Sequence, residues 1–487
     1  MKNELKFSVF GGKNEIGGNK ILLEYKDTRL MLDFGLSFST YKKYFAEFLQ
    51  PRKCNALLDW FEFDLLPKIN GIYRKDYCLH CGLKFSEKPF LGAVLISHAH
   101  SDHSALIHFL RKDIPIFCTK ETFLILKALE ETSARSFTEL VNLKKEFHLI
   151  KTKKGSYRRL QGDEAKEQRI FVILEPYKKY KFKDVEIQAI PVDHSLPGAC
   201  AFIIYTDAGN VVYTGDLRFH GRRSNQTRKF VKIAKDANPE IMFCEGTRIN
   251  ETKNVTEEDV ERKSEEIVRN CKKLVVVNYP LRDLDRLVTF YNVARKCGRE
   301  LVVNLKQAYL LKLFEDIGGY PRLDDVKVYI ERKGWGLVSD EFYVFIDGLG
   351  WIKGNEIDEK QIKMDYYKWE REFLDLENTV TYKDIRRNPE KYIFRCDNFE
   401  LNELIDIKPD GGVYIRSMTE PFSEDMIIEE KRVRNWLKHF NLLPIHQIHA
   451  SGHANGNEIR EMIKTVQPRK LVPIHTEFPE LFTLNSG

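Results

Sequence analysis

Apolar and polar side chains alternate through LKFSVF (5–10), and after the glycine-paired stretch GGKNEIGG (11–18) apolar runs return in ILLEY (21–25) and TRLMLDFG (28–35). A period of two broken by glycine pairs predicts short strands joined by tight turns, an antiparallel start to the chain. Residues 51–89 interrupt the pattern with mixed polarity and read as an insertion. Beyond it, AVLIS (93–97) is a short, small and branched apolar run of buried-strand length, and IPIFCTK (114–120) reads as a further short strand. A helical period covers 121–131; VEIQAIPVDH (185–194), AFIIYT (201–206), NVVYTGD (210–216) and EIMFCEG (240–246) read as strands.

After Gly246 the texture changes. Helical periodicity at 256–270, the run LVVVN (274–278), a helix at 283–297 and LVVN (301–304) alternate in the manner of a parallel α/β unit. The last 60 residues return to the earlier style, with HQIHASGHANGNEI (446–459) and KLVPIHTE (470–477). One domain split by another is the economical reading: a first part over 1–247, an inserted domain over 248–425, and a second part over 426–487. No repeat or low-complexity segment is detected.

Charge matters through its distribution. Net +6 says little, but residues 217–235 hold seven Lys or Arg and no acid, and KTKKGSYRR (151–159) is a second basic cluster. A polyanion would be drawn to the first, and each phosphate contact would add salt-sensitive affinity. No stretch approaches the roughly 20 apolar residues of a membrane helix. Nine scattered cysteines fit a reducing cytoplasm. Cys78 and Cys81, with Cys54 and His80 as conceivable partners, are the one close-spaced set; unpaired thiols are preferred there to a structural zinc.

The chemistry concentrates in LISHAHSDHSAL (95–106), where His98, His100, Asp102 and His103 arrive within six residues. His98 and His100, at i and i+2 past a strand end, point the same way and can reach one ion. Asp102 and His103 follow as the chain turns, so they face a different direction and imply a second ion. Further ligands are expected at other strand ends: His194, Asp216 and His475. Imidazole and carboxylate without thiolate suit Zn²⁺, with Mn²⁺ as a possible substitute. The glycines at 11–12 and 17–18 lack a strand–GxGxxG–helix context and read as a tight turn near the site mouth rather than a dinucleotide loop.

These residues resemble a family. His98-Ala99-His100-Ser101-Asp102-His103 looks like the signature of the metallo-β-lactamase fold, with Asp33 in LDFG, His194 and Asp216 resembling its other motifs. Glu245 in FCEGT, His453 in ASGHA and His475 in PIHTE resemble the additional motifs of the β-CASP nucleases, which include bacterial and archaeal ribonucleases and the mRNA 3′-end processing endonuclease. The resemblance implies an αββα sandwich interrupted by a parallel α/β cap domain. It implies that His98, His100 and His194 hold one ion, that Asp102, His103 and His475 hold the other, and that Asp216 bridges them. Glu245 would charge His453, the candidate general acid, and Asp33 would orient a ligand from behind. His220 is a candidate for the same supporting role, whereas His449 reads as structural. Because the chain ends 12 residues after His475 and starts at its first strand, no appended domain is expected at either end.

The expected activity is metal-dependent hydrolysis of single-stranded RNA in the cytoplasm, exonucleolytic from the 5′ end or internal, by a hydroxide that two ions activate. Ser451, Gly452 and His453 are expected to cradle phosphate together with Arg218, the first base after Asp216. Arg282, Asp283 and Arg286, after the first parallel strand of the cap, are placed where a strand-end crevice would meet ligand. A homodimer is possible. A DNA nuclease or repair enzyme of the same family, a small-molecule metallo-hydrolase and a non-catalytic RNA-binding relative are the alternatives.

Overall fold

The structure, a computed structural model, describes residues 4–46, 48–52, 56–133, 139–144, 149–159, 167–333, 341–421 and 424–482. It divides into two compact units, Met1–Asn254 with Gly452–Gly487, and Val255–Ser451.

In the first unit, among the described residues, two six-stranded sheets form. The first runs Leu5–Gly11, Lys20–Tyr25, Thr28–Leu32, Ala93–Leu95, Ile116–Cys118, Phe171–Ile173, antiparallel across its first three strands and parallel thereafter. The second runs Lys179–Phe182, Val185–Pro191, Cys200–Tyr205, Asn210–Tyr213, Pro239–Glu245, Lys470–Ile474, and its last two pairings are parallel. Alternate residues point to opposite faces, so every strand of the second sheet except the edge strand Lys179–Phe182 serves two cores. Ile187, Ala189, Phe202, Ile204 and Phe243 meet Leu23, Leu30, Leu32 and Leu95 of the first sheet. Ile190, Ala201, Ile203 and Met242 pack on Phe230 and Ala234 of helix Ser224–Asp236 and on Ile459 and Ile463 of helix Gly456–Val466. On the other sheet, helix Lys120–Thr132, capped by Thr119, sets Phe123 5.0 Å from the ring of Phe171. This is the metallo-β-lactamase sandwich.

Segment 51–89 forms helices Ala56–Glu62 and Lys75–His80. Trp60 and Tyr77 lie 5.5 and 5.7 Å from the ring of Phe109, and Arg74 and Ile72 share backbone hydrogen bonds with Phe109 and Arg111. The insertion therefore buttresses the turn that follows His103.

The second unit is a seven-stranded, wholly parallel sheet among the described residues, ordered Thr379–Val380, Lys327–Tyr329, Glu300–Val303, Tyr392–Arg395, Leu274–Asn278, Gly412–Arg416, Ile445–Gln447. Its entry helix Glu257–Asn270 begins on a capping box between Thr256 and Asp259. The expected end at 425 and the observed end at 451 differ because helix Glu424–His439 and strand Ile445–Gln447 complete this sheet. No helix of the described residues is long and apolar enough to cross a membrane.

Candidate metal centre

Strand Ala93–Leu95 is buried and leads through Ser97 to His98, itself fully buried. The backbone stays extended to His100, which caps the single turn Ser101–Ser104 carrying Asp102 and His103. That change from extended to helical backbone splits the cluster. His98 Nε2 and His194 Nε2 lie 2.9 and 3.1 Å from His100 Nδ1, and His98 Nε2 is 3.5 Å from Asp216 Oδ2. On the other side, His475 Nε2 is 3.2 Å from Asp102 Oδ2, and His103 Nε2 is 3.8 Å from it. Asp216 Oδ2 reaches both sides, 3.0 Å from His103 Nε2 and 3.6 Å from His475 Nε2.

These spacings fit cations. Four ligands about 2.0–2.1 Å from a tetrahedral centre stand about 3.3 Å apart, close to the separations within the His98, His100, His194, Asp216 group. Three imidazole nitrogens facing one another without a cation would set lone pairs or protons against each other, and Asp216 Oδ1 is buried with no hydrogen-bond partner. Burial, followed by the neighbouring imidazoles, pushes the basicity of His98 and His194 well down and keeps them neutral, the form that binds metal. Burial works against the charged form of Asp216 too, but His103 and His475 overcome it and hold the carboxyl well below its usual range.

The other ring nitrogens are tied down. Asp33, fully buried, accepts from Ser97 N through Oδ1 at 2.7 Å; its Oδ2 accepts from Ser97 Oγ at 2.7 Å, His103 Nδ1 at 2.6 Å and the Tyr213 hydroxyl. Since Ser97 Oγ spends its one proton on Asp33, it accepts from His98 Nδ1 at 3.0 Å. His194 Nδ1 donates to Gly452 O at 2.6 Å, and His475 Nδ1 lies 2.8 Å from Thr247 Oγ1. Four histidines thereby present Nε2 inward, while His100 presents Nδ1. Ser97, Tyr213 and Thr247 were not singled out from the sequence; each is a hydroxyl residue one to three positions from a singled-out residue, a spacing too common to be a signal.

Glu245, the last residue of its strand and fully buried, accepts from Leu217 N and Thr247 N and sets its two oxygens 3.1 and 3.2 Å from His453 Nδ1. Burial disfavours the charged ring, but Glu245, then Asp216 and Asp102, raise it to about 9. His453 Nδ1 lies 4.0 Å from Asp216 Oδ2, so the ring borders the same cluster. A Cβ on Gly452 would crowd the site, coming 2.9 Å from Ser195 Oγ and 3.0 Å from His194 Cε1; Ser451 is the last residue of the second unit.

Other expectations are corrected. Arg218 does not face phosphate: it is fully buried, its Nε 3.1 Å from Asp193 Oδ1, under Gly221. His220 stands 3.6 Å from Glu458 Oε2, in the capping box of the helix after His453. In the second unit Arg286 is buried on Glu257 and Ser417, and Asp283 caps helix Leu284–Lys296. Within the basic run, Arg223 donates to His194 O and Leu196 O, and Arg228, Lys229, Lys232 and Lys235 are exposed. No metal-holding group includes Cys78, His80 or Cys81 among the described residues, and Cys54 lies outside them.

Comparison with known proteins agrees with this architecture. Residues 81–253 match the model of a β-lactamase superfamily domain, and residues 440–485 that of a Zn-dependent metallo-hydrolase RNA specificity domain. The chain is 24% identical to a ribonuclease J of Mycoplasma pneumoniae, over 100% of this chain and 70% of that one. It is 21% identical to a ribonuclease J of Pyrococcus abyssi, over 98% and 90%. A crystal structure of a protein of unknown function from Enterococcus faecalis V583 has the same fold, with a TM-score of 0.72 at 22% identity over 99% of this chain and 97% of that one.

Proposed function

From the premise that this chain has the metallo-β-lactamase fold, we propose that it is a β-CASP-type ribonuclease holding two divalent cations and hydrolysing single-stranded RNA in the cytoplasm. The observation that carries the reading is the position of Asp216 Oδ2, within 3.0–3.6 Å of three inward-facing imidazole nitrogens, beside a histidine held by its own carboxylate. The RNA specificity domain and the relatives named ribonuclease J support the substrate.

His98, His100 and His194 would hold one ion, Asp102, His103 and His475 the other, with Asp216 between them; zinc suits the donors and manganese can replace it. When bound, such ions supply charge neutralisation at the phosphate and a water acidic enough to attack near neutral pH. Asp102 would orient the attacking water, whose proton passes to solvent. As the P–O3′ bond breaks, His453 gives the departing ribose oxygen a proton from Nε2, its Nδ1 being held by Glu245. The products are a 5′-phosphate and a 3′-hydroxyl.

The test is incubation with 5′-monophosphorylated, 5′-triphosphorylated and circular RNA, and with single-stranded DNA, with and without chelator. RNA cleavage abolished by chelator and restored by zinc or manganese is the expected result. Cleavage of DNA alone would turn the assignment to a DNA nuclease, and intact nucleic acid under every condition would end it. Cleavage of the circle would show internal attack, and a preference for the monophosphate would show attack from the 5′ end.

A further inference from the structure

Lys20 is 1% exposed, yet its ammonium has no obvious task in a buried strand. An ammonium taken out of water is costly, and a methionine of equal length would fill the space. Its hydrogen bonds run to Gly18 O at 2.7 Å and Gly35 O at 2.9 Å. Those carbonyls belong to two backbone segments that close on Asp102. Gly17, at φ +80°, passes so near that a Cβ would come 2.7 Å from Asp102 Oδ2, and a Cβ on Gly35 would overlap Asp102 O. Asn19 N donates to Asp102 O, Leu36 N to Ser101 O and Phe34 N to His103 O. The far end of the same turn reaches the remaining ligand of that side, because His475 N donates to Gly12 O at 2.7 Å. Glu15 fastens the turn from outside, accepting from Gly12 N and from Ser37 Oγ.

We infer that the glycine turn 11–19, locked by Lys20, is a clamp that positions Asp102 and His475 and thereby governs filling of the second cation position more than the first. The direct contacts of this turn fall on Asp102 and His475, whereas it reaches His98 only through Asn19, Tyr213, Asp33 and Ser97, so the second position should respond more strongly. Lys20 is a positioning residue, acting through Gly18 and Gly35. The inference rests on the two-ion reading proposed above.

The experiment is cobalt titration of the chelator-stripped full chain, followed by visible absorption and calorimetry, for the wild type, Lys20→Met and Gly17→Ala. The wild type should take up two equivalents. Both variants should bind the first equivalent with little change in affinity or spectrum and the second at least about tenfold more weakly, the usual effect of losing a supporting contact. Wild-type binding of both equivalents by a folded Lys20→Met protein overturns the clamp, and so does equal weakening of both, which would mark a general structural role. If Lys20→Met fails to fold, Gly17→Ala decides by the same criterion. Fewer than two equivalents in the wild type would instead refute the two-ion reading.

Discussion

Asp33 and His103 form a fully buried pair, the carboxylate Oδ2 2.6 Å from the ring Nδ1, although 70 residues separate them in the chain. The same oxygen receives the hydroxyls of Ser97 and Tyr213, so one carboxylate sets the orientation of His103 directly and of His98 through Ser97. Asn at this position offers one oxygen where two are used. Asp33→Asn should lower affinity for zinc by about 10- to 100-fold, as loss of such support usually does, with circular dichroism unchanged. Calorimetric titration measures it; undiminished affinity would mean that packing alone orients the two rings.

Much of this site was legible because strand ends are where sheets present side chains, and His98, His100, Asp102, His194, Asp216 and His475 are polar residues placed just after apolar runs. The β-strand alternation likewise announced the antiparallel start of the chain, whereas the sandwich was expected only from the family resemblance. Arg218 was misjudged for a physical reason: charge in a sequence carries no sign of burial, and Asp193, 25 residues earlier, gave no hint that it would pair with it. Arg286 misled in the same way, since its partner Glu257 lies a helix and a strand away. The later domain boundary was hidden because helix Glu424–His439 is followed by a strand of only three residues, too short for periodicity to register.

Asp216 is the residue both sides of the site share, with His98, His103 and His475 all within 3.6 Å of Oδ2. Its removal should therefore affect both cation positions, whereas His98→Ala should affect one. Asp216→Ala is expected to lower kcat/KM on RNA by about 10³-fold or more and to leave at most one tightly held zinc per chain by elemental analysis. A variant that cleaves at the wild-type rate would remove Asp216 from the reaction.

Glu245 and His453 should act as one unit. With both carboxylate oxygens on Nδ1, the ring is held and charged, so His453→Ala should slow turnover by about 10²- to 10⁴-fold and Glu245→Gln by less. Residues that work together are not additive: the double variant should be no slower than His453→Ala. Zinc content should stay at the wild-type level in His453→Ala. Loss of zinc would instead identify His453 as a ligand, since Asp216, Glu245, His453 and His475 also lie close enough to share an ion.

The second unit carries a pH-sensitive carboxyl of its own. Glu403, 8% exposed, accepts from the Tyr329 hydroxyl at 2.7 Å. Burial is the largest influence on it; the Tyr329 bond opposes this, and Glu331, Asp406 and Glu400 add to it, for a net rise from 4.5 to about 7. The folded state therefore holds this proton more tightly than the unfolded chain. The favourable contribution is complete below about pH 4.5, declines as pH rises and is gone above about 7. At about 1.4 kcal/mol for each pH unit between the two values, the loss is at most about 3.5 kcal/mol. Glu403→Gln keeps an acceptor for Tyr329 and cannot ionise. Urea unfolding should show the variant more stable than the wild type by about 2–3 kcal/mol at pH 8, with the gap largely closed at pH 5. A gap that is the same at both values would show that Glu403 ionises in the folded protein as freely as in water.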